Sequence, residues 1–196
     1  VHLASNLRPG ESRVHVARKG LAWTQELMGL EPDSVESRML AVQLRGISLK
    51  TVKLKPATME QELQVLRQDL AKALQLDPDY KQGLPRVVHA HLLLFTRPPG
   101  WESDLKQSIQ LLNKQFPNSP YLALLLSDKA TLEGDKNRAR KILQRLIKRL
   151  PAGTTDFAEG STLTRWSMER IKSLEGKRVG DPALMPERYP LGKAGK

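Results

Sequence analysis

"SDKATLEGDKNRARKILQRLIKRLP", residues 127–151, decides the fold. From Ala139 the apolar residues step by three, one, three, one and three through Ile142, Leu143, Leu146, Ile147 and Leu150. That spacing is one apolar stripe at the α-helical period. Lys136, Arg138, Arg140, Lys141, Arg145, Lys148 and Arg149 fall beside and opposite it. Gly134-Asp135 supplies a turn and then an N-cap, because the Asp carboxylate can accept a first-turn N–H. Pro151 ends the helix, since a proline disfavours helical geometry in the residue before it. Such a helix is either a nucleic-acid reader or one unit of a helical repeat with a wetted, charged outer face.

The chain has 196 residues, 39% hydrophobic and 27% charged, which places it among soluble globular proteins of about one domain. Aromatic residues are only 5%, and no long alternating β-branched run argues for a sheet. Lys and Arg number 32 against 21 Asp and Glu, a net charge of +11 that favours acidic partners. There is no cysteine, which excludes disulfides, a thiolate nucleophile and a Cys-ligated zinc. No apolar run is long enough to span a membrane. No signal peptide is visible, but the chain opens on Val1, so a targeting segment removed upstream is compatible with it.

Helical spacing extends along most of the chain. Val14, Ala17, Leu21, Thr24 and Met28 share a face, with Trp23 and Leu27 alongside. Val35, Met39 and Val42 begin a second helix, and Met59, Leu63, Leu66, Leu70 and Ala73 a third, with Thr58 as its cap. Leu84, Val88, His91 and Phe95 mark a fourth, and Leu105, Ile109, Leu112 and Phe116 a fifth. Residues 121–132 make a sixth, the quoted stripe a seventh, and Leu163, Trp166, Ile171 and Leu174 an eighth. Residues 1–10 and 176–196 lack a stripe and read as extended tails around a helical domain at 11–175.

Four of these helices end alike: "LMGLEP" at 27–32, "ALQLDP" at 73–78, "LNKQFP" at 112–117 and "LIKRLP" at 146–151. Their prolines are 46, 39 and 34 residues apart, and the last spacing is that of a tetratricopeptide repeat. Residues 120–151 resemble such a repeat. Ala139 stands at the small-residue position of its second helix, and Leu143 and Leu146 at the packing positions that follow. The match departs at Ala123, where the family usually has Trp, and at Ser127, where it has Gly or Ala. Residues 97–151, with Pro99-Gly100-Trp101 in a loop inside one repeat, are also similar to the periplasmic T-component proteins associated with TRAP transporters. That resemblance implies a cleft or pore passing small apolar ligands to a binding partner, and a periplasmic or other bacterial envelope location; a cytoplasmic one is the alternative.

Candidate chemistry is sparse. The glycines form no phosphate-binding loop, and HExxH is absent. His89 and His91 sit two apart, hence on different faces of a helix, and do not share a metal. Asp33 or Ser34, and Asp79, read as caps and turn formers. Trp101 is either a stacking surface at a cleft mouth or a wedge between two helices. The quoted helix fits an antiparallel repeat partner better than a groove-reading helix, and base-stacking aromatics are scarce, which argues against nucleic acid.

The residues together predict an all-α fold: a short right-handed α-solenoid of tetratricopeptide-like helix pairs with a capping helix at each end. The function predicted is that of a non-enzymatic binding or scaffold module in a bacterial envelope assembly, with no cofactor and no metal. Its partner would be another protein or peptide of acidic character. Tyr121, Leu124, Asp128 and Thr131 are expected to face the groove, with Arg86, His89, Leu93 and Trp101 as further contacts. The alternatives are a periplasmic carrier of a small apolar ligand, which would be an oligomer in some forms, and a basic nucleic-acid-binding helical protein.

Overall fold

The computed structural model describes residues 11–51, 55–150 and 157–176, and side chains over 15–49, 55–150 and 163–176. Of the expected tails at 1–10 and 176–196 only Gly176 is among the described residues, and Pro151 also lies outside them. Among the described residues the protein is all-helical, with eight helices and no strand. They are α1 (Glu11–Leu30), α2 (Val35–Thr51), α3 (Pro56–Leu76), α4 (Tyr80–Thr96), α5 (Trp101–Gln115), α6 (Pro120–Leu132), α7 (Lys136–Arg149) and α8 (Phe157–Leu174). Within the span expected to form one domain, the chain divides into two compact units, with the boundary after Tyr80.

One turn recurs along the chain. Helices α1, α3, α5 and α7 each stop two residues before a proline. The residue preceding that proline donates its N–H back four residues: Glu31 to Leu27 O, Asp77 to Ala73 O, Phe116 to Leu112 O and Leu150 to Leu146 O. Asp77, Phe116 and Leu150 have already left helical geometry, as a residue before proline tends to. In three cases the carbonyl of the same residue accepts an N–H three residues on, from Ser34, Tyr80 and Ser119. These are β-turns with proline at the second position and Asp33, Asp79 or Asn118 at the third, residues suited to those places.

The first unit holds α1–α3. α1 packs on α2, and α2 on α3. Ala17, Met39, Ala41, Val42 and Leu44 are buried, as are Leu66, Leu70 and Ala73. Two arginines on α2 face two carboxylates on α3: Arg38 Nη1 bonds Asp69 Oδ1 at 3.3 Å, and Arg45 bonds Glu62. Seven residues forward along α2 matches seven residues back along α3, so the two helices run antiparallel. α3 begins at Pro56 with Lys55 as its N-cap, so Thr58 lies in the first turn and not at the cap. Proline at the first helical position explains this start, since its missing N–H would be unsatisfied there anyway.

The second unit holds α4–α8. α4 opens with a left-handed turn, φ 45°, 58° and 78° at Lys81, Gln82 and Gly83, and right-handed helix follows from Leu84. Gly83 is required there, because a Cβ would lie 2.8 Å from Leu112 Cδ2 and 3.0 Å from the Phe116 ring. α6 is the central element. It adds Leu122 and Leu125 to a cluster with Val87, Ala90, Leu94, Leu105 and Leu112 from α4 and α5. It also adds Ala123 and Leu124 to a cluster with Leu143 and Leu146 of α7 and Leu163 of α8.

The quoted stripe is thus the core side of α7. Ala139, Leu143 and Leu146 are buried, and burying the two leucines contributes about 3–6 kcal/mol in area terms. Asp135 caps the helix by accepting the Arg138 N–H at 2.9 Å. Ser119 caps α6 in the same way and also donates to Gln82 O at 3.3 Å.

Candidate functional site

α6 is apolar throughout residues 120–126, and a carboxylate buried just after such a run must find a partner or lose its charge. Asp128 is almost wholly buried, at 2% exposure. Two partners reach it from different helices. Arg170 of α8 donates from Nε to Oδ1 at 2.7 Å and from Nη2 to Oδ2 at 2.9 Å, the two-pronged pairing that suits a guanidinium and a carboxylate. His91 of α4 places Nε2 3.1 Å from Oδ2. Asp128 therefore bridges α4, α6 and α8. Burial pushes its acidity toward the neutral form. The Arg170 charge and the hydrogen bonds from Arg170 and His91 outweigh it and hold the group well below the ordinary carboxylate range.

His91 is held on both sides. Its Nδ1 lies 3.2 Å from Val87 O, so both ring nitrogens face acceptors and both bonds form together only when both nitrogens carry hydrogen. Its ring stacks on Phe95, with centroids 6.1 Å apart. His89 points elsewhere. Burial lowers its pKa from the ordinary histidine value, and Asp104 of α5 opposes that shift.

The structure distributes the other expected groove residues over several environments. Leu124 is buried in the cluster with Leu143 and Leu146. Tyr121 is half-buried and touches both clusters, at the seam between them. Thr131 is half-buried, and its hydroxyl donates to Ser127 O at 2.9 Å. Leu93 is buried, and Arg86 is half-buried. Trp101 starts α5, packs against the α4–α6 cluster and lies under the Arg97 guanidinium, 5.3 Å from the ring centroid. Of this set only Asp128 joins the three-helix bridge. Its two partners, His91 and Arg170, were not among the expected contacts. The one sequence signal for them is Asp128 itself, a charge that an apolar helix cannot leave unpaired.

Outside the bridge, Lys136, Arg138, Lys141, Arg145, Lys148 and Arg149 of α7 are exposed. Arg140 pairs with Glu175 at 2.9 Å, and Arg149 donates to Asn118 at 3.0 Å. Among the described residues no group of three or more His, Asp or Glu side chains is placed to hold a metal ion, and no helix is long and apolar enough to cross a membrane. Comparison with protein-family models, curated proteins and solved structures returns no match to this chain.

Proposed function

We propose that the second unit is a tetratricopeptide-like module that binds a protein partner without catalysis. The observation that carries this reading is the Asp128 bridge, which brings α4, α6 and α8 to one set of side chains while α7 stays outside it. Alternate helices meeting along one edge is the arrangement from which a solenoid builds its inner surface. The recurring proline turn supports the same reading, since it repeats the step from one helix pair to the next.

The side chains along that edge favour recognition over chemistry. Each ring nitrogen of His91 faces an acceptor of the protein and Asp128 is held by Arg170, so neither side chain is directed at a substrate. Ser127 spends its hydroxyl on Leu124 O. Tyr121 and Trp166 both pack on the Leu124–Leu163 cluster, and half-buried aromatics of this kind serve as anchors for a partner chain. The charge of +11 favours a partner segment carrying acidic residues.

The test is selection of peptides from a displayed library on the full chain, followed by affinity measurement on variants. Tyr121→Ala is expected to weaken binding of selected peptides roughly tenfold or more, the loss typical of an anchor residue. Lys141→Ala with Arg145→Ala, on the outer helix, is expected to leave binding within about twofold at moderate salt. The opposite order would move the binding face to α7 and reject this assignment.

A further inference from the structure

The first helix presents an apolar edge that its own unit leaves uncovered. α1 uses Ala17 and Thr24 as its buried side, with Ala17 against Leu44 of α2. Trp23, Leu27 and Leu30 stand on a different side, at intervals of four and three residues, and are 67%, 42% and 80% exposed. Those intervals put them in one row along the helix. A tryptophan and two leucines lined up in water are a contact surface more often than a solvent face.

The charges beside the row identify what covers it. Lys19 lies four residues before Trp23 and Glu26 three residues after it, so both sit on the same margin of the row. Both are exposed, and neither has an ion-pair partner among the described residues. A second copy of α1, turned end for end about an axis at Trp23, brings each Lys19 within one residue, about 1.5 Å along the axis, of Glu26 of the other copy. It also lays Leu30 near Val16 of the other copy and Trp23 on its counterpart. In a parallel two-fold pair the two copies of this margin lie on opposite sides of the contact, so Lys19 and Glu26 of one copy do not reach those of the other. The margin is therefore complementary to itself only under an antiparallel two-fold arrangement, which is the form a closed homodimer contact takes.

We propose that α1 is a homodimerisation surface, with Trp23, Leu27 and Leu30 packed antiparallel against the same row of a second copy and Lys19 paired with Glu26 across the two-fold axis. The contact spans about four helical turns, roughly 20 Å. That is less than a standard interface, so the dissociation constant falls roughly in the micromolar range. The surface belongs to the first unit alone and does not depend on the binding edge assigned to the second.

Sedimentation velocity on the full chain, over roughly 1 to 500 µM, tests this. The wild type is expected to pass from monomer to dimer across that range. Trp23→Glu and, separately, Leu30→Glu are expected to remain monomeric with unchanged helical circular dichroism, since both positions are exposed. Lys19→Glu is expected to weaken the dimer roughly tenfold, because two symmetry-related pairs are lost at once, and Glu26→Lys should match it. The double variant K19E/E26K is expected to recover the wild-type constant. A wild type that stays monomeric throughout overturns the proposal, as does a dimer that survives both Trp23→Glu and Leu30→Glu. A double variant no tighter than the single ones overturns the antiparallel pairing.

Discussion

Arg170 and Asp128 meet through two short hydrogen bonds, while Arg38 and Asp69 of the first unit meet through one of 3.3 Å. The difference sets the sign of two carboxylate shifts. At Asp69, burial dominates and raises the pKa, against the opposing charges of Arg45 and Arg38. At Asp128, the arginine and histidine contacts win over burial and lower it. One buried carboxylate is held ionised by its neighbours, and the other is incompletely compensated because Arg45 is committed to Glu62.

Removing one member of the Asp128 pair leaves the other buried and uncompensated. Arg170→Met and Asp128→Asn are each expected to destabilise the second unit by about 3 kcal/mol. The double variant should cost clearly less than the two single losses added together, since each already breaks the same contact. Hydrogen exchange along α6 and α8 in the full chain measures this, and simple additivity would mean the pair is not coupled.

Acid should act on the two carboxylates in opposite directions. The folded pKa of Asp128 lies below its unfolded value, so its contribution is complete above the ordinary carboxylate range and is lost as pH falls toward the folded value. The folded pKa of Asp69 lies above its unfolded value, so its contribution is present at low pH and lost as pH rises through the folded value. Asp69→Asn is therefore expected to leave the first unit within about 1 kcal/mol of wild type at pH 7, with an amide oxygen still able to accept from Arg38. Exchange rates in α3 and α6 compared at two pH values would reveal both trends.

Gly83→Ala puts a Cβ into the Leu112 and Phe116 side chains at a positive φ, and should cost roughly 2–3 kcal/mol. Gly100→Ala has the same backbone sign and open space around it, so about 1 kcal/mol is expected. Thermal melts of the two variants separate crowding from backbone strain. Equal losses would remove the packing argument at Gly83.

His89 should titrate below the ordinary histidine value of 6.5 because burial disfavours its charged form. Its contribution to stability is then present above that value and lost as pH falls through the folded one. Asp104→Asn removes the opposing charge and is expected to lower the midpoint further, read from the imidazole proton shifts by NMR. A midpoint that rises in this variant would contradict the assigned cause.

Much of the helical framework is visible in the residues. Ala139, Leu143 and Leu146 step at the helical period and are buried, and Asp135 after Gly134 caps α7. Periodicity orients a helix only when one side of it is wet. α7 meets that condition and α6 does not, since Leu122 and Leu125 pack one way and Ala123 and Leu124 the other. The face that Leu124 presents was for that reason not readable from spacing. The partners of Asp128 were hidden by distance along the chain, because nothing local to residue 128 points to residues 91 and 170. The left-handed turn at Lys81–Gly83 was hidden differently: only its glycine carries a backbone signal, and Lys81 and Gln82 have none.

The bridge at Asp128 also bears on how the second unit assembles. Its two partners are residues 37 and 42 away along the chain, about one helix pair in each direction. Closing loops of that size costs little more entropy than closing shorter ones, so each helix pair can add to the last without waiting for distant chain. Asp128 is expected to act as a checkpoint during this growth, because its burial is compensated only by partners on other helices. With either arm absent, the middle helix would hold a carboxylate whose burial is less compensated, which favours keeping that part of α6 in water. Arrival of the second arm is expected to remove that obstacle and so to couple the last docking step to the drying of the central helix.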